Sequence, residues 1–513
     1  MSHAQVLSRT SAGIDAPLVS VEVHISNGLP SFAIVGLPES TVKEAKERVR
    51  SALLNSHLAW PDRRITVSLS PAELPKSGAR FDLPIALAIL AASGQLPSDE
   101  LKGVECYGEL GLDGDVRPCR GLLSAVLAGC RNSHMLMVPA CQLADLTLPQ
   151  SGRVVGVRDL LSTCAVIKDP SLINQLGDTS ARARTASTSS ESEPQTSAPP
   201  EPRLEQVVGQ LMAKRAIEIA AAGGHHLLMV GPPGAGKTLL ANCLPSLLPP
   251  LTEAERIEVA VIRDLVGLRG EPARPFRAPH HSASAAGLIG GGSHALPGEI
   301  SLAHKGVLFL DELPEFPKKI LELLRQPLEN GIINITRARG AFTYPADFQL
   351  VAAMNPCPCG FSQDPGHSCV CTPEAIRRYQ SRLSGPVLDR IDMHIQLERL
   401  KSGSLLSKEP TTKSACATDT TPGALREFQR ERQGVLNGQL LGDDLLAACQ
   451  LTGKTTAWLE QVAEQFQLSA RALHKAMRVA RTIADMRKSQ DVSEDDLLEA
   501  LGYRLRQHSM AEL

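Results

Sequence analysis

The chain has 513 residues, with 53 Lys and Arg against 55 Asp and Glu, which gives a formal net charge of −2. At about 150 residues per domain this length predicts about three domains, and the near-neutral charge excludes a globally basic DNA coat while leaving room for a local basic channel. Aromatic residues make up only 3% of the chain, which argues against a protein that binds single strands mainly by base stacking. Because the sequence shows neither a membrane-spanning apolar run nor a secretory signal, we expect a cytoplasmic protein with no membrane partner.

Two stretches rich in Ser, Thr, Ala and Pro are predicted to be flexible linkers, since neither has the apolar periodicity that a core requires. They divide the chain into three parts. The predicted boundaries are 1–170 for an N-terminal domain, 171–203 for the first linker, 204–400 for a central domain, 401–423 for the second linker and 424–513 for a C-terminal domain.

The N-terminal part alternates between strand and helix patterns. Residues 19–25 and 65–69 have the period-2 pattern of strands, residues 41–54 have helical spacing, and residues 83–92 form a more apolar helix. These elements predict a small α+β domain.

The central part is predicted to be an α/β domain with a parallel, doubly wound sheet. A helix over 210–222 precedes three buried apolar strands, over 226–230, 307–310 and 348–353, and strands interleaved with helices form such sheets. The C-terminal part shows only helical periodicity, most clearly over 468–486.

A phosphate-binding loop follows the first of these central strands. The stretch matches G-x-x-x-x-G-K-[ST], whose glycines let backbone N–H groups surround phosphates at the start of a helix. Lys237 is expected to approach the β- and γ-phosphates of ATP, and the Thr238 hydroxyl is expected to bind Mg²⁺. The predicted nucleotide contacts are Gly231, Pro232, Pro233, Gly234, Ala235, Gly236, Lys237, Thr238, Leu239 and Asp311.

Polar residues follow the other two buried strands. Asp311 and Glu312 come directly after 307–310, so Asp311 is predicted to hold Mg²⁺ and Glu312 to polarise the attacking water. Asn355 follows the third strand and is expected to face the ligand crevice. Arg390 and Arg471 also have the chemistry to meet phosphate charge, although spacing alone favours an ordinary surface or ion-pair arginine at each position.

Several stretches together resemble the AAA+ ATPases of the magnesium-chelatase-like group, and with the N-terminal part the whole chain is similar to the YifB/ComM family. The stretches are residues 274–281, 298–304, 306–316, 324–329, 352–360 and 382–386. The resemblance implies a P-loop ATPase core with a helical lid, preceded by an α+β domain of the Lon-protease-like (S5-like) fold.

The same resemblance implies a role for each polar residue. Asp311 and Glu312 match the Walker B acids, Asn355 matches sensor 1, Arg390 matches the arginine finger that reaches a neighbouring subunit's ATP, and Arg471 matches sensor 2. It further implies a homo-hexameric ring that binds single-stranded and branched DNA. The expected activity is that of an ATP-dependent helicase promoting branch migration during integration of transforming DNA in natural competence, with recombination proteins as candidate partners.

The N-terminal part departs from the Lon-type protease pattern at the catalytic positions. Arg80 stands where that pattern has the nucleophilic Ser, and Leu123 where it has the Lys base, so peptide hydrolysis is not expected. Ser77 and Lys76 are adjacent on an extended chain and would point apart. The domain is expected to bind DNA or to help assemble the ring, although its basic residues also fit a solvated surface.

Residues 331–354 are predicted to form strand, tight turn and strand, with Arg337 and Arg339 at the turn. In the resembling group this hairpin points into a central pore, where two arginines would follow a phosphate backbone without reading bases. The glycine-rich stretch 286–292, near His280 and His281, resembles a second pore-facing insert, while packing inside the domain is an equal alternative for the two histidines.

Four of the twelve cysteines fall within a short stretch. Cys357 and Cys359 are separated by nine residues from Cys369 and Cys371, and four thiolates on one loop can complete a tetrahedral Zn²⁺ site. Four reduced free thiols are the alternative.

Three other functions compete with the DNA motor. A protein-remodelling ATPase of the magnesium-chelatase type fits the same ATPase residues, but the N-terminal part does not fit that subunit. A protease or unfoldase conflicts with Arg80, Leu123 and the arginine-rich hairpin, and a DNA-binding scaffold with a vestigial ATPase conflicts with the complete set of ATPase residues.

Overall fold

The structure is a computed structural model that covers both predicted globular parts and the C-terminal helices. It describes residues 2–146, 153–173, 202–270, 272–292, 295–337, 340–362, 364, 366–399 and 421–504. Most of the two predicted linkers, at 174–201 and 400–420, lies outside the described residues.

The N-terminal part forms a seven-stranded mixed sheet in the order β3-β4-β2-β1-β5-β8-β9, and β6 pairs with β7 in a separate hairpin. The strands are β1 (Ser2–Arg9), β2 (Leu18–Ser26), β3 (Ser31–Val35), β4 (Arg64–Ser70), β5 (Val104–Cys106), β6 (Glu109–Leu110), β7 (Val116–Arg117), β8 (Met135–Pro139) and β9 (Arg153–Val157). The helices are α1 (Ser40–Lys43), α2 (Ala45–Asn55), α3 (Asp82–Ala92), α4 (Leu122–Arg131) and α5 (Leu160–Lys168).

Alternation of side chains in β2 and β4 accounts for the core of this domain. Every second residue of both strands is buried, because successive side chains of a strand point to opposite faces. The buried face packs with α3, all of whose residues are buried. The single helix predicted over 41–54 is interrupted at Glu44, whose N–H bonds to the Ser40 carbonyl, yet its apolar residues remain on the buried side.

The central part contains a five-stranded sheet in the order β11-β14-β17-β10-β18, and all neighbouring strands are parallel. The described strands of this part are β10 (Leu227–Val230), β11 (Phe276–Arg277), β12 (Gly290–Gly291), β13 (Leu296–Pro297), β14 (Val307–Leu310), β15 (Ile332–Arg337), β16 (Gly340–Pro345), β17 (Gln349–Met354) and β18 (Met393–Gln396). The expectation of a parallel sheet is confirmed.

Helices cover both faces of this sheet. The described helices are α6 (Leu211–Gly223), α7 (Lys237–Leu247), α8 (Glu253–Leu265), α9 (Ala285–Ile289), α10 (Glu299–Leu302), α11 (Lys318–Leu323), α12 (Arg325–Asn330), α13 (Pro373–Gln380) and α14 (Gly385–Leu388). Alternate residues of β10, β14 and β17 belong to two different apolar clusters. One cluster is shared with α6, α7 and the C-terminal helices, and the other with α10 and α11.

The C-terminal part is helical over its described residues. Its helices are α15 (Pro422–Gln433), α16 (Gly442–Cys449), α17 (Gly453–Gln465), α18 (Ala470–Met486) and α19 (Glu494–Gly502). Helix α15 begins inside the last residues of the predicted second linker, because the Thr421 side chain accepts the N–H of Ala424 and proline suits the first helical position. No helix in the described residues is long and apolar enough to cross a membrane.

Candidate nucleotide site

The turn between β10 and α7 has a backbone that requires glycine. Gly234 and Gly236 have φ angles of +77° and +90°, a region that residues with a Cβ rarely adopt. A Cβ at Gly231 would lie 2.8 Å from the carbonyl oxygen of Leu397. The turn therefore leads the chain from the carboxyl end of β10 into the N-terminus of α7, an arrangement in which backbone N–H groups can surround phosphates.

Lys237 links this turn to the strand next to β10. Its Nζ donates hydrogen bonds to the carbonyl oxygens of Gly231 at 2.6 Å and Pro232 at 3.0 Å, and to Oδ1 of Asn355 at 2.9 Å. Burial lowers the pKa of Lys237, while two nearby carboxylates act in the opposite direction. The structure thus brings together the predicted lysine of the loop and the predicted asparagine after β17.

Thr238 and Asp311 meet at the same edge of the sheet. The Thr238 hydroxyl donates to Oδ2 of Asp311 at 2.9 Å, and Oδ1 of Asp311 accepts the backbone N–H of Glu312 at 2.9 Å. Hydroxyl and carboxylate oxygens are the ligands that Mg²⁺ prefers. The two side chains therefore suit a Mg²⁺ ion that is bound together with a nucleoside triphosphate.

Glu312 adopts an uncommon backbone conformation directly after Asp311. Its φ angle is +51°, and a non-glycine residue in this region stores strain of a kind that clusters at functional sites. Its side chain is about half exposed, and Oε2 lies 3.0 Å from Nδ1 of His281. Spacing in the sequence gave no signal for this contact, because the two residues lie after different strands.

Arg390 and Arg471 converge on one carboxylate, that of Glu329 in α12. Arg390 Nη2 pairs with Glu329 Oε1, and Arg471 Nη2 lies 2.9 Å from the same oxygen. The pKa of Glu329 is held below its usual value by the hydrogen bond from Arg471 and by the charge of Arg390. The resemblance to the magnesium-chelatase-like group includes the stretch that contains Glu329 but implies no role for this residue.

Within the described part of the chain, the recorded contacts of these two arginines do not include the P-loop or the carboxylates after β14. Arg390 is almost completely buried, and burial lowers its pKa. Its Nη1 donates to the carbonyl of Pro386, while its Nε is buried without a partner. An unpaired donor of this kind costs free energy unless a further acceptor reaches it.

The loop after Asn355 lies against the P-loop. Gly360 has a φ angle of +86°, and a Cβ at this position would lie 2.5 Å from the Pro233 ring. Gln380 in α13 donates to the carbonyl of Pro356 at 3.1 Å. The cysteine-containing segment is therefore packed beside the nucleotide site.

The four cysteines of this loop gather their sulfur atoms in one place. All four Sγ atoms lie within 4.8 Å of one another, and Cys357 Sγ lies 3.3 Å from Cys359 Sγ and 3.8 Å from Cys369 Sγ. Four sulfurs bound at about 2.3 Å around one Zn²⁺ would be about 3.8 Å apart. Backbone N–H groups of Phe361 and Val370 lower the pKa of Cys359 to about 6, which favours the thiolate form that a metal binds.

His367, which lies between the two cysteine pairs in the sequence, is not part of this cluster. Its Nδ1 is 3.0 Å from Oδ2 of the buried Asp364, and its ring stacks on Phe361 with centroids 4.9 Å apart. The candidate metal ligands among the described residues are therefore the four cysteines.

Comparison with known proteins covers nearly the whole chain. The family described as "Magnesium chelatase, subunit ChlI" matches residues 203–405, "Subunit ChlI of Mg-chelatase" matches 21–142, and "Magnesium chelatase, subunit ChlI C-terminal" matches 416–504. The competence protein ComM of Haemophilus influenzae is 45% identical over 511 residues, which cover 98% of each chain. The uncharacterized protein YifB of Salmonella typhimurium is 42% identical over 508 residues, covering 98% of this chain and 97% of that one.

The chain belongs to the YifB/ComM family of magnesium-chelatase-like proteins. A likeness to a protease is much more limited. A putative lon protease homolog of Methanothermobacter thermautotrophicus is 42% identical over 77 residues, which are 15% of this chain and 14% of that one.

In this YifB/ComM chain, the two residues expected at the Lon-type catalytic positions make packing contacts. These residues are Arg80 and Leu123. The guanidinium of the buried Arg80 donates to the carbonyl oxygens of Arg120 and Gly121, directly before α4. Asp264, at the end of α8, accepts the backbone N–H of Leu123 at 2.7 Å. Burial raises the pKa of Asp264, and the hydrogen bonds from α4 oppose that effect. A carboxylate of the central domain thus caps a helix of the N-terminal domain.

The neighbouring Lys76 and Ser77 do not form a described catalytic pair. Lys76 is fully buried, and its Nζ donates to the carbonyl of Pro71. Burial lowers the pKa of Lys76.

Two segments beside the site are in mutual contact. Strands β15 and β16 form the predicted hairpin, with Arg337 paired to Gly340 at its end, whereas Arg339 lies outside the described residues. The insert, defined as residues 278–298, carries α9, β12 and β13 between β11 and α10. The Tyr344 hydroxyl of the hairpin donates to the Ala295 carbonyl of the insert at 2.7 Å, so the two segments pack as neighbours.

Proposed function

We propose that this chain is an ATP-hydrolysing ring motor that moves DNA junctions. The observation that carries the proposal is the meeting of Lys237, Thr238, Asp311 and Asn355 at the carboxyl ends of three adjacent parallel strands. Polar groups at this edge of a doubly wound sheet form the ligand crevice, and the family match supports ATP hydrolysis.

Each residue of the site has a separate role in the proposed ATP hydrolysis. The P-loop N–H groups and Lys237 bind the phosphates, and Asn355 and Glu312 orient and polarise the water that attacks the γ-phosphorus as its bond to the bridging oxygen breaks. Magnesium held at Thr238 and Asp311 would neutralise charge on the β- and γ-phosphates.

Positive charge on the far side of the γ-phosphate is proposed to come from a second subunit. Arg390 and Arg471 share one carboxylate within the chain, and the Arg471 side chain is about half exposed whereas that of Arg390 is buried. A closed ring, proposed here as a homo-hexamer, repeats the same contact at every interface. Each interface would then place this arginine pair on the neighbouring subunit's ATP.

DNA is the proposed substrate on two grounds. The name of the similar Haemophilus influenzae protein refers to competence, the uptake of DNA. The last residue of β15 is Arg337, and the sequence has a second arginine, Arg339, two positions later. Arginines that contact phosphates bind without regard to sequence, which suits a helicase that extends branch migration during recombination. Cytoplasmic location and contact with recombination proteins form part of this proposal.

Protein remodelling of the magnesium-chelatase type is the second candidate. The specific observation in its favour is that three magnesium-chelatase descriptions together match the N-terminal, central and C-terminal parts of the chain. Both candidates require ATP hydrolysis, and they differ in whether DNA stimulates it.

We also propose that the four cysteines hold Zn²⁺. Their sulfur atoms already lie at distances close to those of a tetrahedral thiolate site, and such sites contribute directly to local folding.

The test of the motor is the ATPase rate of the full chain with and without four-way-junction DNA, measured together with ATP-dependent junction movement. Wild type is expected to show DNA-stimulated hydrolysis and junction movement, and Lys237→Ala should lose both, because no other described cation takes its place in the loop. An ATPase rate that DNA does not change would refute the proposed DNA motor and favour protein remodelling.

A second comparison isolates the hairpin. The R337A/R339A variant should keep the DNA-free ATPase rate and lose most of the stimulation, because phosphate contacts supply sequence-independent affinity. The matched control is K454A/K488A, which removes two exposed positive charges from the C-terminal part. Equal stimulation in both variants would show that the hairpin does not contact DNA.

A further inference from the structure

The backbone around Asn355 is in contact with α13, the helix that follows the cysteine loop. The last residue of α13, Gln380, donates from Nε2 to the carbonyl oxygen of Pro356 at 3.1 Å. The residue before it, Tyr379, faces the backbone N–H of Asn355 with its hydroxyl oxygen. Two consecutive side chains of α13 therefore meet the two residues that follow β17.

Tyr379 is a well-anchored side chain in this arrangement. Only 6% of it is exposed, and it belongs to the apolar cluster that includes the last residues of β14 and β17, Leu310 and Met354. Burial raises the pKa of Tyr379 to about 12, the charge of Glu315 acts in the same direction, and the N–H of Asn355 opposes them. The hydroxyl is therefore uncharged at neutral pH, and its oxygen can accept that N–H.

The chain directly after α13 also contacts the segment that follows β14. Arg382 donates to the carbonyl oxygen of Pro314 at 3.3 Å and to Oε2 of Glu315 at 2.8 Å. The backbone N–H of Glu315 in turn donates to the carbonyl oxygen of Glu312 at 2.8 Å. Residues 379–382 thus connect the turn that carries Glu312 with the backbone of Asn355.

The cysteine loop adds a further contact near Asn355. A Cβ at Gly360 would lie 2.5 Å from the Pro233 ring and 3.8 Å from Cγ of Asn355. The loop starts beside Asn355 and ends at α13, and its four sulfur atoms lie within 4.8 Å of one another. Asn355 is therefore placed by elements on both sides of it in the sequence.

The placement of Asn355 should affect hydrolysis more than nucleotide binding. Lys237 has two further acceptors, the carbonyl oxygens of Gly231 and Pro232, so its position does not depend on Asn355 alone. An amide that orients a reacting water, by contrast, loses effect when it is displaced by a fraction of an ångström. A loosened Asn355 backbone would lower the rate of the chemical step and leave the affinity for ATP unchanged.

We propose that Tyr379 is a positioning residue that fixes the backbone of Asn355 relative to Glu312. The proposal rests on the proposed function, because it takes Asn355 and Glu312 as the groups that orient and polarise the attacking water. It adds the element, the end of α13, that determines where one of these groups stands relative to the other.

The test compares Tyr379→Phe with Tyr503→Phe in the full chain, without DNA. The measurements are kcat and KM for ATP and the Kd of a non-hydrolysable ATP analogue. Y379F removes only the hydroxyl that meets the N–H of Asn355, so kcat should fall about 10-fold while KM and Kd keep their wild-type values.

Tyr503 is the matched control. It is 3% exposed, and its hydroxyl donates to Oε1 of Glu499 at 3.2 Å in the C-terminal part. Y503F therefore also removes one buried hydroxyl, but away from the β14 and β17 strand ends, and it should resemble wild type in all three measurements.

Three results would overturn the proposal. An unchanged kcat in Y379F would show that the hydroxyl does not place Asn355. An equal fall of kcat in Y503F would assign the effect to a general loss of stability. A weaker Kd in Y379F, in proportion to the fall in kcat, would show that Tyr379 supports nucleotide binding instead.

Asn355→Ala separates this proposal from the one on which it rests. If N355A keeps the wild-type kcat, the catalytic assignment of Asn355 fails and the proposed function must be revised at that residue. If N355A is inactive while Y379F behaves as wild type, only the positioning by Tyr379 fails. These rates are measured without DNA, so they are informative whether or not DNA stimulates hydrolysis.

Discussion

The polar side chains of the site act in pairs whose members lie far apart in the sequence. Lys237 and Asn355 are separated by 118 positions, and Arg471 and Glu329 by 142. A charged group at a partly buried site needs such a partner, because leaving it unpaired costs more than the contact returns. Arg390 and Arg471 both meet this requirement through one carboxylate oxygen of Glu329.

At this scale, a mixing experiment tests whether Arg390 acts on a neighbouring subunit. Lys237→Ala and Arg390→Ala should each be inactive alone, yet random mixed rings should regain about a quarter of the wild-type ATPase rate, because an interface can combine the intact Lys237 of one chain with the intact Arg390 of the next. The ATPase rate after co-refolding or subunit exchange is the measurement.

The control for mixing is the K237A/R390A double variant combined with R390A, which offers no intact interface. Activity that stays at the level of the separate variants in the K237A and R390A mixture would show that Arg390 works within its own chain. The same design with Arg471→Ala assigns the second arginine.

The cysteine loop is an element whose structure depends on its own side chains. Residues 357–371 contain no helix or strand in the described part of the loop, and its contact with Pro233 reaches the P-loop. A segment without regular backbone hydrogen bonding needs another source of stability. The proposed metal ion, bound by the four thiolates, would supply it.

At this scale, we expect about one Zn²⁺ per purified chain, the number that one four-thiolate site binds. Cys357→Ser should lose the zinc and lower the midpoint of thermal unfolding, because the loop then lacks its cross-link. The measurements are metal content by atomic emission and a thermal melt with and without chelator.

Cys243→Ser, in α7, is the matched control, since it removes a buried thiol outside the cluster. It should retain the zinc. Absence of zinc from wild type, with all four thiols of the loop open to titration, would leave them as free cysteines.

The whole molecule is joined by buried polar contacts between its parts. Asp264 of the central domain caps α4 of the N-terminal domain, and Lys475 of α18 lies 2.9 Å from Asp392, directly before β18. Burial alone would raise the pKa of Asp392, but the Lys475 ammonium, together with His226 and His225, holds that pKa below its usual value. Burial also lowers the pKa of Lys475 to about 8.

At the scale of the molecule, Lys475→Met should destabilise the attachment of the C-terminal helices. It leaves a buried carboxylate without its partner, which costs about 3–5 kcal/mol, and K475M/D392N should recover part of that loss. Lys454→Met breaks the exposed pair with Glu494 and should cost at most about 1 kcal/mol. Thermal unfolding of the three variants is the measurement, and equal midpoints for K475M and K454M would contradict the expectation.

The pair also predicts a pH dependence. Because the pKa of Asp392 is lower in the folded than in the unfolded chain, its contribution to stability is present above the unfolded value of about 4 and disappears as the pH falls through the folded value. The wild-type melting temperature should therefore fall more steeply than that of K475M/D392N between about pH 5 and pH 3.

The sequence alone determined the elements whose signals are local. The P-loop, the acids after β14 and the strands β10, β14 and β17 follow from residue types at fixed spacing, because turn geometry and side-chain periodicity act over a few neighbours. The hairpin and the long helix α18 were predicted for the same reason. The break at Glu44 was missed because the apolar spacing continues across it.

Only the tertiary structure decided which distant groups meet. The carboxylate of Glu329 between two arginines, His281 beside Glu312 and Asp264 on α4 join residues from separate elements, and no local pattern encodes such contacts. The convergence of four sulfurs likewise depends on how the loop folds against Pro233. These placements are determined by the packing of the sheet, insert and helices. Packing brings groups from separate elements together and shields them in part from water, which favours contacts between polar groups.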